Sequence, residues 1–152
     1  MATFILVDEP GKYMDDQALS TVSNYIIKGA KKTLCYNTSK ESVADDMAAV
    51  QEAFNKDDGK KLRHTIISFS KSEKPSPGTL LSIARDVCDE YKDDFQIIAG
   101  VHKKDGQDHI HFMMNSVSYK TGDRFHQNRD EFYDERKDIK NLLRSYGYKL
   151  KD

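Results

Sequence analysis

The spacing of apolar residues along the chain alternates between a period of two and a helical period, and each change predicts an element. Residues 3–7 are a short apolar, partly β-branched run, which is typical of a strand. Residues 62–70 alternate between polar and apolar side chains, as a half-buried strand does. Two more strands are predicted at about 95–102 and 109–118, followed by a hairpin turn at Thr121-Gly122.

Apolar residues at helical spacing predict four helices, and capping residues indicate where they begin. Asp15 or Asp16 can cap the first helix, which Gly29 would end. Thr38-Ser-Lys-Glu41 has the pattern of a capping box for the second helix, which Asp57-Asp58-Gly59 would end. The four helices are expected at about 16–28, 43–54, 76–91 and 139–146, the third opening at Ser76-Pro77.

The resulting order of elements, β-α-α-β-α-β-β-α, predicts the fold class. It favours an α+β sandwich with a central antiparallel sheet and helices packed mainly on one face. The other face of the sheet would then be free for a functional site. The length of 152 residues predicts a single domain over residues 1–152 that buries a core without disulfides.

Composition narrows the class of protein further. No run of eighteen apolar residues occurs, so we expect no transmembrane helix and no membrane partner. Cys35 and Cys88 are too few for a disulfide framework and indicate free thiols in a reducing cytoplasm. The net charge of −1 argues against a protein that coats nucleic acid without specificity. Basic residues nevertheless cluster at 28–32 and 136–151, where phosphate contacts and a solvated face are equally compatible with the composition.

Three of the five histidines lie within ten residues, at His102, His109 and His111. One apolar residue separates the last two, so on a strand both imidazoles point to the same face. A short Asp/Gly turn would return the chain so that His102 lies beside them. Three neutral imidazoles suit a divalent metal with open coordination positions, as in catalytic sites. A metalloprotease is disfavoured because no His-Glu-x-x-His motif is present, whereas such a metal could polarise a phosphoryl oxygen.

Three ordered segments resemble the motifs of conjugative relaxases, the HUH endonucleases of the MobA/MobL and VirD2-like branch. They are Tyr25–Thr33, Arg63–Phe69 with Glu73 after it, and the histidine cluster followed by Asn115-Ser-Val. The stretch around Arg124 and the closing segment Tyr146–Leu150 are also similar, so that the resemblance covers roughly residues 20–150. The histidine motif is the specific part of this resemblance.

The resemblance implies a metal-dependent enzyme that nicks and rejoins one DNA strand at an origin of transfer. Its substrate would be single-stranded DNA, with accessory mobilisation proteins and a coupling protein as further partners in the bacterial cytoplasm. The cofactor would be a divalent metal ion, manganese or magnesium first, with zinc, cobalt or nickel as alternatives. The expected covalent intermediate is a 5′-phosphotyrosine.

Site residues follow from the same resemblance. Tyr25 matches the attacking tyrosine, and a phenol needs a base or a nearby cation to become a good nucleophile. His64 matches a second catalytic position. The remaining expected roles are metal binding by His102, His109 and His111, support of the site by Asn115 and Glu73, and DNA binding by Lys28, Lys31, Lys32 and Arg124.

The chain departs from the family pattern between its first and second clustered histidines. Acidic and further histidine residues are usual there, whereas this chain has Lys103, Lys104 and Gln107, with acids at Asp105 and Asp108. The histidine triad is retained, but the metal preference is left open. The chain is also short for the family and resembles a relaxase domain alone.

Three other functions remain open at this point. A rolling-circle replication initiator or a small HUH transposase would carry its nucleophile on a helix after the histidine strand, where Tyr133-Asp-Glu-Arg-Lys137 has a suitable spacing. A non-catalytic, metal-stabilised DNA-binding module is the second alternative, because the net charge is near zero and the residues between the histidines are altered. An unrelated metal hydrolase is a weaker third one.

Overall fold

The computed structural model describes residues 1–152, and a five-stranded antiparallel sheet lies at its centre. The strands lie in the order β1-β3-β5-β4-β2, so β5 is central and β1 and β2 form the edges. The elements are β1 (Thr3–Leu6), α1 (Asp16–Gly29), β2 (Lys32–Tyr36), α2 (Val43–Ala53), β3 (Leu62–Ser68), α3 (Pro77–Asp89), β4 (Ile97–Lys104), β5 (Gln107–Asn115) and α4 (Arg129–Ser145). The expected α+β class with an antiparallel sheet is confirmed.

Side-chain caps fix most helix starts. The Asp15 carboxylate accepts from the backbone N–H of Ala18 at 3.1 Å, and the Ser76 hydroxyl caps α3 in the same way. The predicted capping box at 38–41 is wrong, because α2 begins only at Val43. The hydroxyls of Thr38 and Ser42 instead donate to the Asp46 carboxylate, so the loop is held by a side chain inside the helix. A capping box does occur on α4, between Asn128 and Glu131.

Strand β2 was not predicted. Its sequence, Lys-Thr-Leu-Cys-Tyr, is short and begins directly after α1. It forms an edge of the sheet and pairs only with β4, antiparallel, with Cys35 opposite Ile98. This strand ties the end of α1 to the histidine hairpin, because the backbone N–H of Lys31 donates to the carbonyl of Val101 at 2.9 Å.

Helices pack on both faces of the sheet, which corrects the expectation that they lie mainly on one. On the first face, α3 and α4 cover a core of 16 buried residues that includes Ile110 and Phe112 of β5. On the second, α1 and α2 cover a core of 8 buried residues that includes Ile98 and Met113. The second core forms because the strands also carry apolar side chains on the face of the histidines, and these side chains are buried only where helices cover that face. None of the four helices combines the length and apolar character needed to cross a bilayer.

An ion pair attaches α4 to the sheet. The Arg63 guanidinium donates to both carboxylate oxygens of Glu135, at 3.1 and 2.6 Å, and Tyr91 donates to the same carboxylate. Burial alone would raise the pKa of Glu135. The hydrogen bonds and charge of Arg63, together with the hydrogen bonds from Tyr91 and Gln127, outweigh burial and hold this pKa below its usual range. Glu135 is therefore a structural carboxylate on the face opposite the histidines.

Candidate active site

The β4–β5 hairpin brings three histidines together on one face of the sheet. His102 lies directly opposite His109 in the strand register, and His111 lies opposite Gly100. The turn between the strands contains Asp105 and Gly106, both at positive φ (55° and 80°), as a tight two-residue hairpin turn requires. The imidazole positions therefore follow from the strand period and the turn length.

A fourth histidine joins them from the neighbouring strand. The ring centroid of His111 lies 4.5 Å from that of His102, 5.3 Å from that of His64 and 6.1 Å from that of His109. His64 is on β3, opposite Met113, and so on the same face. The fifth histidine, His126, is an exposed loop residue. We use "histidine cluster" below for His64, His102, His109 and His111.

Tyr25 lies against this cluster. Its ring centroid is 5.3 Å from that of His102 and 5.4 Å from that of His111, and the residue is 52% exposed. Helix α1 carries it there because Gly100, the sheet residue beneath the helix, has no side chain. A Cβ at that position would lie only 2.7 Å from Cγ2 of Ile26. The phenol is therefore both next to the imidazoles and open to solvent.

His102 is oriented by the same helix. Its Nε2 lies 2.7 Å from the carbonyl oxygen of Ile26, and a carbonyl can only accept, so Nε2 carries a proton; in the neutral ring Nδ1 then has the lone pair. The ring also packs on Gly29, where a Cβ would lie 2.9 Å from Cε1. Gly29 was expected only as the end of the helix, and it also makes room for the His102 ring.

Tyr13 is a residue of this site that the sequence did not indicate. Its hydroxyl lies 3.0 Å from Nδ1 of His64, and Nε2 of His64 lies 3.0 Å from Nδ1 of His111. Tyr13 stands in the loop before α1 with a φ of 64°, and its carbonyl accepts from the backbone N–H of Lys61 at 2.8 Å. No periodicity or motif marks this loop, so only the folded structure reveals the contact.

Burial favours the neutral form of His64, His109 and His111. Desolvation, helped by the neighbouring histidines, lowers the pKa of His111 to about 3. Burial and then the charges of Lys12 and His102 lower the pKa of His64 to about 4. The pKa of His109 is also lowered, again mainly by burial. Neutral imidazoles are the form that binds metals.

The donor set fits a divalent metal, although no group of three His, Cys, Asp or Glu side chains is arranged to hold one as the chain stands. Nε2 of His109 is buried and has no hydrogen-bond partner, which is unusual for a polar atom and leaves a ligand position free. Three imidazoles on one ion have ring centroids roughly 5 Å apart for metal–nitrogen distances of about 2.1 Å. The observed separations of 4.5 and 6.1 Å, both measured to His111, bracket that value.

Comparison with known proteins agrees with this geometry. The family model of the MobA/VirD2-like relaxase nuclease domain matches residues 24–148, a range that contains Tyr25 and the whole histidine cluster. The chain belongs to this relaxase family. Family membership identifies the chain as a nuclease domain of the relaxase type, as the resemblance had implied.

Individual relatives are distant. Protein rlx of Staphylococcus aureus is 22% identical over 123 residues, which are 81% of this chain and 37% of that protein. The chain thus spans little more than a third of the length of this curated relative. A solved structure described as the molecular basis of vancomycin resistance transfer in Staphylococcus aureus superimposes with a TM-score of 0.67 at 12% identity. The superposition covers 99% of this chain and 97% of the other chain, and at this low identity it shows only that the fold is shared.

The lysines predicted to bind DNA surround the exit of α1 in this relaxase. Lys28, Lys31 and Lys32 are all exposed, and none of them takes part in an ion pair. Lys28 is in the last turn of α1, three residues after Tyr25. Lys32 lies opposite Val101 in the ladder, so its side chain leaves the sheet on the face away from the histidines.

Arg124 and Glu73 have partners outside the site of the relaxase. The Arg124 guanidinium donates to the backbone carbonyls of Lys60, Lys56 and Asp58 at 2.7–3.2 Å, so it fixes the loop before β3. The Glu73 carboxylate accepts from the backbone and hydroxyl of Ser70 at 2.7 and 2.9 Å. These hydrogen bonds hold the loops before and after β3 in place, and neither residue contacts the histidine cluster.

Asn115 is fully buried and acts at a distance from the cluster. Its side-chain oxygen accepts from Gln51 at 2.7 Å, and its amide donates to Gln96 at 2.8 Å. It shares the face of His111 but lies four residues further along β5, which is about 13 Å in a strand. Asn115 therefore joins α2 to the end of the sheet, and its support of the site is indirect.

Tyr133, the alternative nucleophile, is far from the histidines of this relaxase. It lies on α4, whose Ile139 and Leu143 belong to the core on the opposite face of the sheet. Its ring contacts are Phe132 and the Arg129 guanidinium, the latter 5.6 Å from the ring centroid. The sheet separates this tyrosine from the cluster, which disfavours the initiator and transposase alternatives.

Proposed function

We propose that this relaxase domain cleaves a single DNA strand at an origin of transfer by transesterification, with Tyr25 as the nucleophile. The Tyr25 oxygen would form a bond to phosphorus while the bond to the 3′ oxygen breaks, giving a 5′-phosphotyrosine and a 3′-hydroxyl that takes up the proton. No water is consumed, so the reverse reaction rejoins the strand. The observation that carries this proposal is the position of Tyr25, exposed and in ring contact with His102 and His111.

The histidines supply the electrophilic half of the site in this proposal. His102, His109 and His111 lie on one face, and burial lowers the pKa of His109 and His111, so these three are the residues that would hold a divalent cation. When bound, such a cation, manganese or magnesium first, polarises a phosphoryl oxygen and offsets the charge that develops in the displacement. The histidines themselves lie beneath the phenol, away from the solvent side from which a strand approaches.

Lysines near the nucleophile account for the binding of the DNA backbone. Lys28 and Lys31 are exposed, unpaired and within six residues of Tyr25 along the chain. Unpaired cations of this kind bind phosphates and release counterions from the DNA. Lys32 would contribute from the other face of the edge strand. Accessory mobilisation proteins and a coupling protein remain predictions that follow from the family.

A covalent-adduct assay tests the proposal. Single-stranded oligonucleotides of random sequence, labelled at the 3′ end, are incubated with the protein and Mn²⁺, and the labelled protein is separated in denaturing gels. The 3′ label stays on the fragment that becomes joined through its 5′ phosphate. We expect an adduct with the wild type and with Tyr133→Phe, and none with Tyr25→Phe.

Each other outcome selects a different function. An adduct that is lost in Tyr133→Phe and kept in Tyr25→Phe would overturn the assignment in favour of the transposase or initiator chemistry. Sequence-specific binding of the oligonucleotides without any adduct would favour the non-catalytic DNA-binding module. Tyr25→Phe removes one exposed hydroxyl, so its folding should be unaffected.

A further inference from the structure

A hydrogen-bonded chain of three side chains links the loop before α1 to the centre of the histidine cluster. It consists of the Tyr13 hydroxyl, both ring nitrogens of His64, and Nδ1 of His111, with two contacts of 3.0 Å each. His64 and His111 are only 7% and 4% exposed. The partners are 51 and 47 residues apart in sequence, so the fold as a whole holds them in line.

Only two proton arrangements satisfy this chain. A neutral imidazole has one N–H and one lone pair, whereas a tyrosine hydroxyl can both donate and accept. In the first arrangement, His111 donates to His64, and His64 donates to Tyr13. In the reverse arrangement, Tyr13 donates to His64, and His64 donates to His111. The reverse arrangement puts the His111 proton on Nε2, the nitrogen not used in this chain, and thereby blocks it as a ligand.

We infer that Tyr13 and His64 are positioning residues that fix the tautomer of His111, with Nδ1–H of His111 donating to His64 and Nδ1–H of His64 donating to the Tyr13 hydroxyl. This leaves the Nε2 lone pair of His111 free for a cation. The inference rests on the proposed function in that His111 is a ligand. It also changes the expected role of His64, which then acts through His111 and does not touch the DNA.

The neighbouring ligand position supports this direction. His102 donates its own Nε2–H to the carbonyl of Ile26, which leaves its other nitrogen free. Metal-binding histidines generally donate their second N–H to a fixed acceptor, which sets both tautomer and ring orientation. His64 would be that acceptor for His111, and the Tyr13 hydroxyl would give His64 its own acceptor. The same arrangement, in which a buried N–H donates to a fixed acceptor, then orients two of the three proposed ligands, His102 and His111.

The test reads the tautomers directly in the metal-free protein. Long-range ¹H–¹⁵N spectra of ¹⁵N-histidine-labelled protein distinguish Nδ1–H from Nε2–H imidazoles near pH 7.5, where both rings are neutral. We expect Nδ1–H for His64 and His111 in the wild type. In Tyr13→Phe, which removes only the acceptor hydroxyl, we expect a mixture of tautomers at both rings. Calorimetric titration should show Mn²⁺ affinity lowered about 10- to 100-fold, as when other fixed acceptors are removed.

Tyr119→Phe is the matched control, because it also removes one tyrosine hydroxyl, which donates to the carbonyl of Asp93 at 2.8 Å. It should leave tautomers and Mn²⁺ affinity unchanged. An Nε2–H tautomer of His111 in the wild type overturns the inference, as do unchanged tautomers and affinity in Tyr13→Phe. Neither readout needs DNA. Failure to form a covalent adduct, or to bind Mn²⁺ at all, therefore rejects the proposed function, and the tautomer spectra still decide this inference.

Discussion

Substituting Gly100 with alanine tests how closely α1 must approach the sheet for Tyr25 to reach the histidines. A Cβ at this position would lie 2.7 Å from Cγ2 of Ile26, 3.1 Å from the Ile26 carbonyl oxygen and 3.2 Å from the Cβ of Ala30. Ile26 is β-branched and fully buried, and the other two atoms move only with the helix backbone. The added methyl group therefore has to displace α1 itself.

The magnitude follows from the cost of overpacking. An extra methyl group in a close-packed core typically costs about 1–3 kcal/mol of unfolding free energy. The loss of glycine freedom in the unfolded chain offsets about 0.4–1 kcal/mol of this cost. Because the added Cβ would approach Ile26 to 2.7 Å, the upper half of the overpacking range, about 2–3 kcal/mol, applies here, and the net loss is about 1–2.6 kcal/mol. At roughly 2–4 °C per kcal/mol for a domain of about this size, Tm should fall by roughly 2–10 °C. Because Tyr25 directly precedes Ile26, adduct formation should fall further, since a displacement of about 1 Å can cost about 100-fold in rate.

Thermal melting followed by circular dichroism, together with the adduct assay well below Tm, measures both effects. Gly78→Ala is the matched control, because the nearest atom to its added Cβ would be Oγ of Ser76 at 4.0 Å. It should melt at or above the wild-type temperature and keep the wild-type adduct rate. If Gly100→Ala melts with the wild type and forms the adduct equally fast, the close approach of α1 is not what positions Tyr25.

Three further predictions concern the scaffold and the DNA. Asn115→Ala should lower the unfolding free energy by about 1–3 kcal/mol in urea titrations, because its buried amide partners lose their hydrogen bonds; a change within error would show that water replaces them. The pKa of Glu135 is depressed below 4.5 in the folded state, so the stability it contributes is present above that pH and is lost as the pH falls through the folded pKa. Glu135→Gln should therefore be less stable than the wild type at neutral pH, and the difference should shrink in acid; a gap that widens in acid would contradict the assigned shift. Lys28→Ala and Lys31→Ala should each reduce the slope of log affinity against log salt by about 0.7 for single-stranded DNA, because each removes one phosphate contact. Fluorescence anisotropy at several salt concentrations measures this slope. Lys120→Ala, at an exposed turn position, is the control and should leave the slope unchanged.

The histidine hairpin could be predicted from the sequence because every step was local. A strand period of two puts His109 and His111 on one face, and a two-residue turn brings His102 opposite His109. Helix starts at Asp15 and Ser76 were equally local, since each cap spans three residues. Local rules do not say which faces of the sheet are covered, and that is where the prediction of the layers was wrong.

Contacts between distant segments could not be predicted. Tyr13 reaches His64 across 51 residues, from a loop without any pattern. Arg124 was expected to bind phosphates because it is basic, but three backbone carbonyls 64–68 residues away use its donors first. Residue type indicates what a side chain can bind, and only the fold decides which partner it meets.

The division of the interior into two cores has a consequence for how substitutions affect the molecule. The face with Tyr25 rests on 8 buried apolar residues, and the opposite face rests on a separate cluster of 16. Side chains alternate between the two faces along each strand, so Ile98 and Met113 belong to one core while Ala99 and Phe112 belong to the other. A substitution confined to the 16-residue core should therefore change the stability of the domain without moving α1 relative to the histidines. Stability and the position of Tyr25 can then vary separately.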